Sequence, residues 1–350
     1  MRSMPSLVLS SGLLVACGGG GGDAGTTPAP AQLLSISASN QDSVGRATAG
    51  AVSSLAGAGG GMTVTTAAAG RSNASSTGAT RGPSGHSISA LARTVADGLL
   101  QVQGRRAALA AGSARALGVA SETHPCTVSG SMTIGVADTD HSATATPGDT
   151  LTLSFNQCRE SALDSVSGSI TVTLNAFSVA SGLVSFGGTM AFQQLSVTEG
   201  TRAASLNGAV SLSYTEQSTT VTALAMTVGG NGLTASVSAG GVTDTVSFHP
   251  AFAINLTDTQ GATSFSTASV NGSFSSSVLG GRVQIETSVP VVQLETQLYP
   301  SSGTLRVVGS GSALRLQALS ANTVRLDLDA NLDGVYESTK DVAWSTLLPG

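Results

Sequence analysis

The chain has 350 residues, of which 10% are charged, 3% aromatic and 44 glycine, where ordinary globular chains carry roughly 25% charge and about 7% Gly. Net charge is −5 with a single lysine, Lys340, so a basic surface for nucleic acid is excluded, and the scarcity of aromatics argues against base-stacking platforms. No apolar run of about 18 residues follows the N-terminus, and the mature chain is expected to lack a transmembrane helix.

Residues 1–17 read MRSMPSLVLSSGLLVAC, with Arg2 as a minimal positive region and Leu7 to Val15 as a short apolar core. That length fits a signal peptide and is too short for a bilayer span. Leu14-Val15-Ala16-Cys17 resembles the lipobox of bacterial lipoproteins. The resemblance implies cleavage of residues 1–16, acylation of Cys17 and a lipid bilayer as partner. Gly18, in place of an Asp that favours inner-membrane retention, implies outer-membrane delivery, on the periplasmic side or the cell surface. One acyl chain binds marginally and two or more hold stably. The alternative is an ordinary secreted protein cleaved after Ala16.

Residues 17–85 join that cysteine to a Gly/Ala/Ser/Thr/Pro stretch containing GGGGGDAG, TTPAPA and SLAGAGGGM. Such composition buries too little apolar surface to offset chain entropy, so a disordered linker is expected. A flexible chain of about 68 residues spans roughly 45 Å r.m.s.. Residues 86–118 change character. Ile88, Leu91, Val95, Leu99, Val102 and Leu109 recur at three- and four-residue steps, the pattern of one amphipathic helix. Ser87 is its N-cap candidate and Gly118 its stop. Arg93, Arg105, Arg106 and Arg115 would suit a membrane surface, but packing on the following domain or simple solvation is preferred.

From residue 119 to 350 an all-β domain is expected, because from about residue 124 the apolar period becomes two. Leu151, Leu153 and Phe155 alternate with Thr152 and Ser154; Ile170, Val172 and Leu174 with Thr171 and Thr173; Val210, Leu212 and Tyr214 with Ser211 and Ser213. Each strand thus has one apolar and one hydroxyl-bearing face. Turn signals are read at Pro147-Gly148-Asp149, Gly187-Gly188, Asn207-Gly208, Gly229 to Gly232, Gly240-Gly241, Asn271-Gly272 and Gly280-Gly281. The expected fold is an antiparallel meander forming a sandwich or curved half-barrel.

Cys126 and Cys158 remain once Cys17 is assigned to lipid, and two thiols in an exported domain predict a disulfide. Asp329-Ala330-Asn331-Leu332-Asp333-Gly334 matches the first half of a calcium loop, in which oxygens at alternate positions converge on a hard cation. The twelfth position is Lys340 instead of Glu, so Glu337 or Asp341 would have to complete the set. The competing reading is a tight turn with solvent-facing acids. Asp138-Thr139-Asp140-His141 is a weaker acidic turn. His86, His124, His141 and His249 have no mutual ligand spacing, and no catalytic motif is found, so no enzyme is expected.

The Gly148 to Cys158 stretch and the C-terminal SGTLRVVGSGSALRLQAL segment, with its Asp-rich turn and Trp344, are similar to lipoproteins of high-GC proteobacteria. That group has no assigned activity to carry over. The preferred expectation is an envelope lipoprotein with a non-catalytic binding or structural role toward an unknown protein or ligand. A periplasmic carrier of an apolar ligand in a curved sheet is the first alternative, and a hydrolase with a dispersed site the second.

Overall fold

A computed structural model describes residues 32–57, 119–142, 144–159, 164–200, 202–239 and 242–348, with Ala92, Val95, Ala96 and Leu99. The signal peptide, Cys17, residues 58–85 of the expected linker, His86 and most of the 86–118 helix lie outside the described residues. Among the described residues no helix is long and apolar enough to cross a membrane.

The strands are β1 (Val119–Pro125), β2 (Ser129–Ala137), β3 (Thr150–Arg159), β4 (Asp164–Ala180), β5 (Leu183–Glu199), β6 (Arg202–Glu216), β7 (Val221–Ala239) and β8 (Val242–Phe248). They continue as β9 (Ala253–Thr259), β10 (Phe265–Ser276), β11 (Gly281–Leu294), β12 (Ser302–Gly309), β13 (Ser312–Ala318), β14 (Thr323–Asp329) and β15 (Ser338–Ala343). All pair antiparallel in one 15-stranded sheet that runs in chain order from β1 to β15. β8 and β9 share one lane between β7 and β10, each pairing with a different half of β7. β1 and β15 do not pair with each other, so the sheet is open and not a closed barrel. The all-β meander expected from the alternation is the fold found.

The period-two pattern explains the two faces. Leu151, Ile170, Val172, Val210, Leu212, Leu224 and Ile285 are buried and belong to a single core. On the other face, hydroxyls meet across strands: Thr123 with Thr133 at 2.9 Å, Ser178 with Ser185 at 2.8 Å and Ser238 with Thr243 at 3.0 Å. Cross-strand hydroxyl pairs of this kind contribute roughly 0.2–1 kcal/mol each, which gives the Ser/Thr excess a structural role.

Four of the expected turns are not turns. Gly187-Gly188, Asn207-Gly208, Gly229 to Gly232 and Asn271-Gly272 lie inside β5, β6, β7 and β10. One hairpin instead turns at Ser181-Gly182, both with positive φ (54° and 80°), as a two-residue primed turn requires. Most of the mid-strand glycines join a crease. Registers shift between Phe155 and Cys158, Ser167 and Ser169, Phe192 and Leu195, Gly208 and Val210, Ala268 and Asn271, and Thr287 and Val289. Gly168, Gly208, Gly272 and Gly303 sit on this line at φ of +100° to +140°. A row of bulges bends a sheet. Along the crease Phe248 packs edge-on against Phe252 at 4.8 Å, with Phe274 at 6.3 Å from Phe248.

The expected disordered linker is corrected over residues 32–57. Leu34 N–H bonds to Arg282 O at 2.8 Å, Ser310 N–H to Leu34 O at 2.9 Å, and Ile36 N–H to the Ser312 hydroxyl at 2.7 Å. Gly281 and Gly309 leave room for this passage: a Cβ at Gly281 would lie 3.1 Å from the Leu34 side chain. Helix α1 (Gln41–Gly57) follows and packs on β7, β10, β13 and β14. Composition misled because small residues do not need their own bulk to be buried here. Val44, Ala47, Ala49 and Ala51 lie on a face already rich in Leu and Val, and a Cβ at Gly45 would touch Leu326 at 3.4 Å. Within the expected second helix, Ala92, Val95, Ala96 and Leu99 are helical and buried in the same core; Val95 and Leu99 belong to the expected apolar spacing, and its other residues lie outside the described ones.

The Cys126–Cys158 disulfide is formed, with a sequence separation of 32. It ties the approach to β2 to the end of β3 beside the crease. In the chain-entropy view such a loop contributes roughly 3–4 kcal/mol.

Candidate functional site

Two places concentrate chemistry. The first is an apolar cavity of about 90 Å³, partly open to solvent, under α1. Ala49 and Val52 of α1 face Leu256 of β9, Val270 of β10, Leu305 of β12 and Leu316 of β13 across it. Trp344, in the C-terminal helical turn Trp344–Leu347, and Leu348 line it as well. Trp344 is fixed by its indole N–H to Ser320 O at 3.1 Å and stacks on Tyr299 at 6.4 Å, whose hydroxyl donates to Leu348 O. Leu298, 57% exposed, lies at the rim.

The polar groups of the wall are already engaged. Ser266 donates to Asp258 Oδ1 at 2.6 Å, and Gln293 Nε2 donates to the Gln297 and Leu298 carbonyls. The surface offered to a ligand is therefore hydrocarbon. Leu256 and Asp258 point to the same face of β9, so the buried Asp258 lies beside the cavity, and among the described residues no basic side chain is paired with it. A ligand carboxylate would find no compensating charge there.

The element above the cavity is poorly satisfied. Among the described residues, Thr48 Oγ1, fully buried on α1, has no hydrogen-bond partner, and neither has Gln41 Oε1. Each bare polar atom costs about 1–3 kcal/mol relative to solvation. Near its start α1 is held by Lys340 to Asp42 at 2.6 Å and by Arg46 to Thr346 O at 3.3 Å. Exposed ion pairs are worth little, about 0–1 kcal/mol. α1 is thus docked with bare polar atoms on its buried side.

The second place is the β14–β15 connection. An oxygen from each of Asp329, Asp333 and Glu337 lies within 4.8 Å of the others. Asn331 shares this loop, its Oδ1 accepting Asp333 N–H at 2.9 Å and its Nδ2 donating to Asp333 Oδ2 at 3.0 Å. Asp341 does not join them. A bidentate hydrogen bond from Arg325 engages it and holds its carboxyl below the usual carboxylate range. Lys340, at the twelfth position of the motif, turns away to Asp42.

The weaker acidic turn is brought together too: Asp138, Asp140 and Asp149 cluster. Donors answer these carboxylates. Asp149 accepts Thr139 N–H at 2.9 Å and Thr146 N–H at 3.0 Å on its two oxygens. Hydrogen bonds from the Ser142 side chain and backbone bring the Asp140 carboxyl down to about 2. This arrangement clasps a loop.

The described histidines, His124, His141 and His249, form no cluster. His249 Nε2 lies 2.8 Å from Ser275 Oγ, and burial, reinforced by Arg282, lowers the His249 pKa. Phe248 and Phe274 point into the core, so the adjacent His249 and Ser275 take the opposite, hydroxyl face, away from the cavity. No carboxylate accompanies this pair among the described residues. The sequence pattern missed the cavity because its roof, α1, was read as linker. Comparison of the chain with protein-family models, curated proteins and solved structures finds no match.

Proposed function

We propose that the chain is a cell-envelope lipoprotein, held in the outer membrane by acylated Cys17, that carries an apolar chain-like ligand between α1 and the curved sheet. The observation that supports the carrier reading is the hydrocarbon-lined cavity under an element that is only loosely satisfied. Its volume decides how it works. About 90 Å³ is below the roughly 150 Å³ of a cavity that accepts benzene, and far below the roughly 300–1,000 Å³ of an ordinary ligand pocket. The closed form therefore seats only a chain terminus. A longer ligand needs α1 to lift, which exposes Thr48 and Gln41 to water and removes their desolvation cost.

This gives Thr48→Val a distinctive signature. The substitution keeps the shape and removes the bare hydroxyl, so it should stabilise the closed protein by about 1 kcal/mol. The same preference for the closed form should weaken uptake of a fluorescent long-chain probe about fivefold. A gain in stability with unchanged affinity would show that α1 is not the gate.

The anchor is tested separately. Protein from the membrane fraction should carry the mass of acyl chains on Cys17, and a Cys17→Ala variant should leave that fraction. Wild-type protein without acyl mass refutes this part of the proposal.

A further inference from the structure

We propose that the β14–β15 loop binds a calcium ion through the carboxylates of Asp329, Asp333 and Glu337 and the amide oxygen of Asn331. The inference is independent of the apolar cavity. It rests on Asp329, at the end of β14, which is only 4% exposed. Its Oδ2 accepts Gly334 N–H at 3.0 Å, while its Oδ1 is buried with no partner among the described residues. A buried carboxylate with one bare oxygen and no cation beside it is an uncompensated charge. Here two further carboxylates converge on the same spot, within 4.8 Å, which deepens the deficit.

Among the described residues, the neighbouring cations are engaged elsewhere. Arg315 is paired with Asp327 at 2.8 Å and stacked over Tyr336, Arg325 is paired with Asp341, and Lys340 with Asp42. Leu332 (φ +60°) and Gly334 (φ +86°) wind the loop so that alternate side chains face one another. Backbone donors already orient these groups: Ala330 N–H to Glu337 Oε2 at 2.7 Å and Val335 N–H to Asp333 Oδ1 at 2.8 Å. The donor set is all oxygen and carries three negative charges. That composition selects a hard cation and disfavours zinc, which takes nitrogen and sulfur ligands. Calcium suits it better than magnesium, because calcium accepts irregular geometry and sheds water readily.

The test is thermal unfolding of the full chain in EDTA, in about 5 mM CaCl₂ and in about 5 mM MgCl₂ at matched ionic strength. Calcium should raise the melting temperature by about 3 °C or more over EDTA, and magnesium by clearly less. Asp333→Asn and Glu337→Gln, both on exposed residues, should fold normally and lose at least about tenfold in calcium affinity by calorimetric titration. Asp329→Asn should melt higher than wild type in EDTA and lose its response to calcium. That opposite pair of signs belongs to a buried charge awaiting a cation. Identical melting in EDTA and calcium, an equal shift with magnesium, or a full calcium response in Asp333→Asn would each overturn the assignment.

Discussion

Gly272→Ala is expected to destabilise the protein by about 3–5 kcal/mol, whereas Gly182→Ala should cost only about 1–2 kcal/mol. Both glycines have positive φ, +140° and +80°. They differ also in the space around them. Gly182 occupies a hairpin tip with nothing within 4 Å of an added Cβ. At Gly272 the Cβ would stand 2.5 Å from Phe252 Cα and 3.0 Å from Phe252 Cβ, and neither can swing aside as a flexible side-chain tip would. Relief requires moving the corner between β8 and β9, where Phe252 and Phe248 anchor the aromatic cluster. A φ of +140° is less open to an L-residue than +80°, so part of the difference is conformational, and the contact with Phe252 adds the rest. Urea unfolding of the two variants measures it. Equal losses would mean that the crease tolerates widening and that its glycines serve only their φ angles.

The crease also shows where the sequence was legible and where it was not. Alternation at Leu151 to Phe155 or Val210 to Tyr214 identifies strand and buried face together, because a half-buried strand leaves no other periodic solution. Asn-Gly and Gly-Gly are ambiguous by the same logic. Positive φ serves a primed hairpin and a bulge equally, and nothing local distinguishes Asn271-Gly272, inside β10, from Ser181-Gly182, at a real turn. Only the register of neighbouring strands decides, and that is a long-range property.

Residues 32–57 failed for a related reason. A linker of Ala, Gly and Ser and a helix of Ala, Gly and Ser docked on Leu326 have the same composition; the difference lies in the partner surface. The Cys126–Cys158 pair could be expected from exclusion and compartment, and the acidic loop from its spacing. The bare Oδ1 of Asp329, the fact that distinguishes this loop from Asp138, Asp140 and Asp149, has no sequence signature.

The docked segment changes the geometry of the proposed anchor. Gln32 begins the described fold 15 residues after Cys17 (32 − 17). At most about 3.5 Å per residue, the chain between them reaches no further than roughly 50 Å.

The carrier reading stands or falls on the cavity beneath Ala49. Ala49→Leu adds three carbon atoms at a buried position on its roof, which the cavity of about 90 Å³ can accept. Filling it should raise stability, since residual cavity volume costs about 24 cal/mol per Å³. It should also remove the seat of the ligand. The measurement is equilibrium titration of wild type and Ala49→Leu with a neutral fluorescent long-chain probe, alongside their melting temperatures. Wild type is expected to bind saturably, one to one, with an affinity at least about tenfold weaker in an Ala49→Leu protein that melts higher. Absent saturable binding in wild type, or equal binding by a stabilised Ala49→Leu, would contradict it.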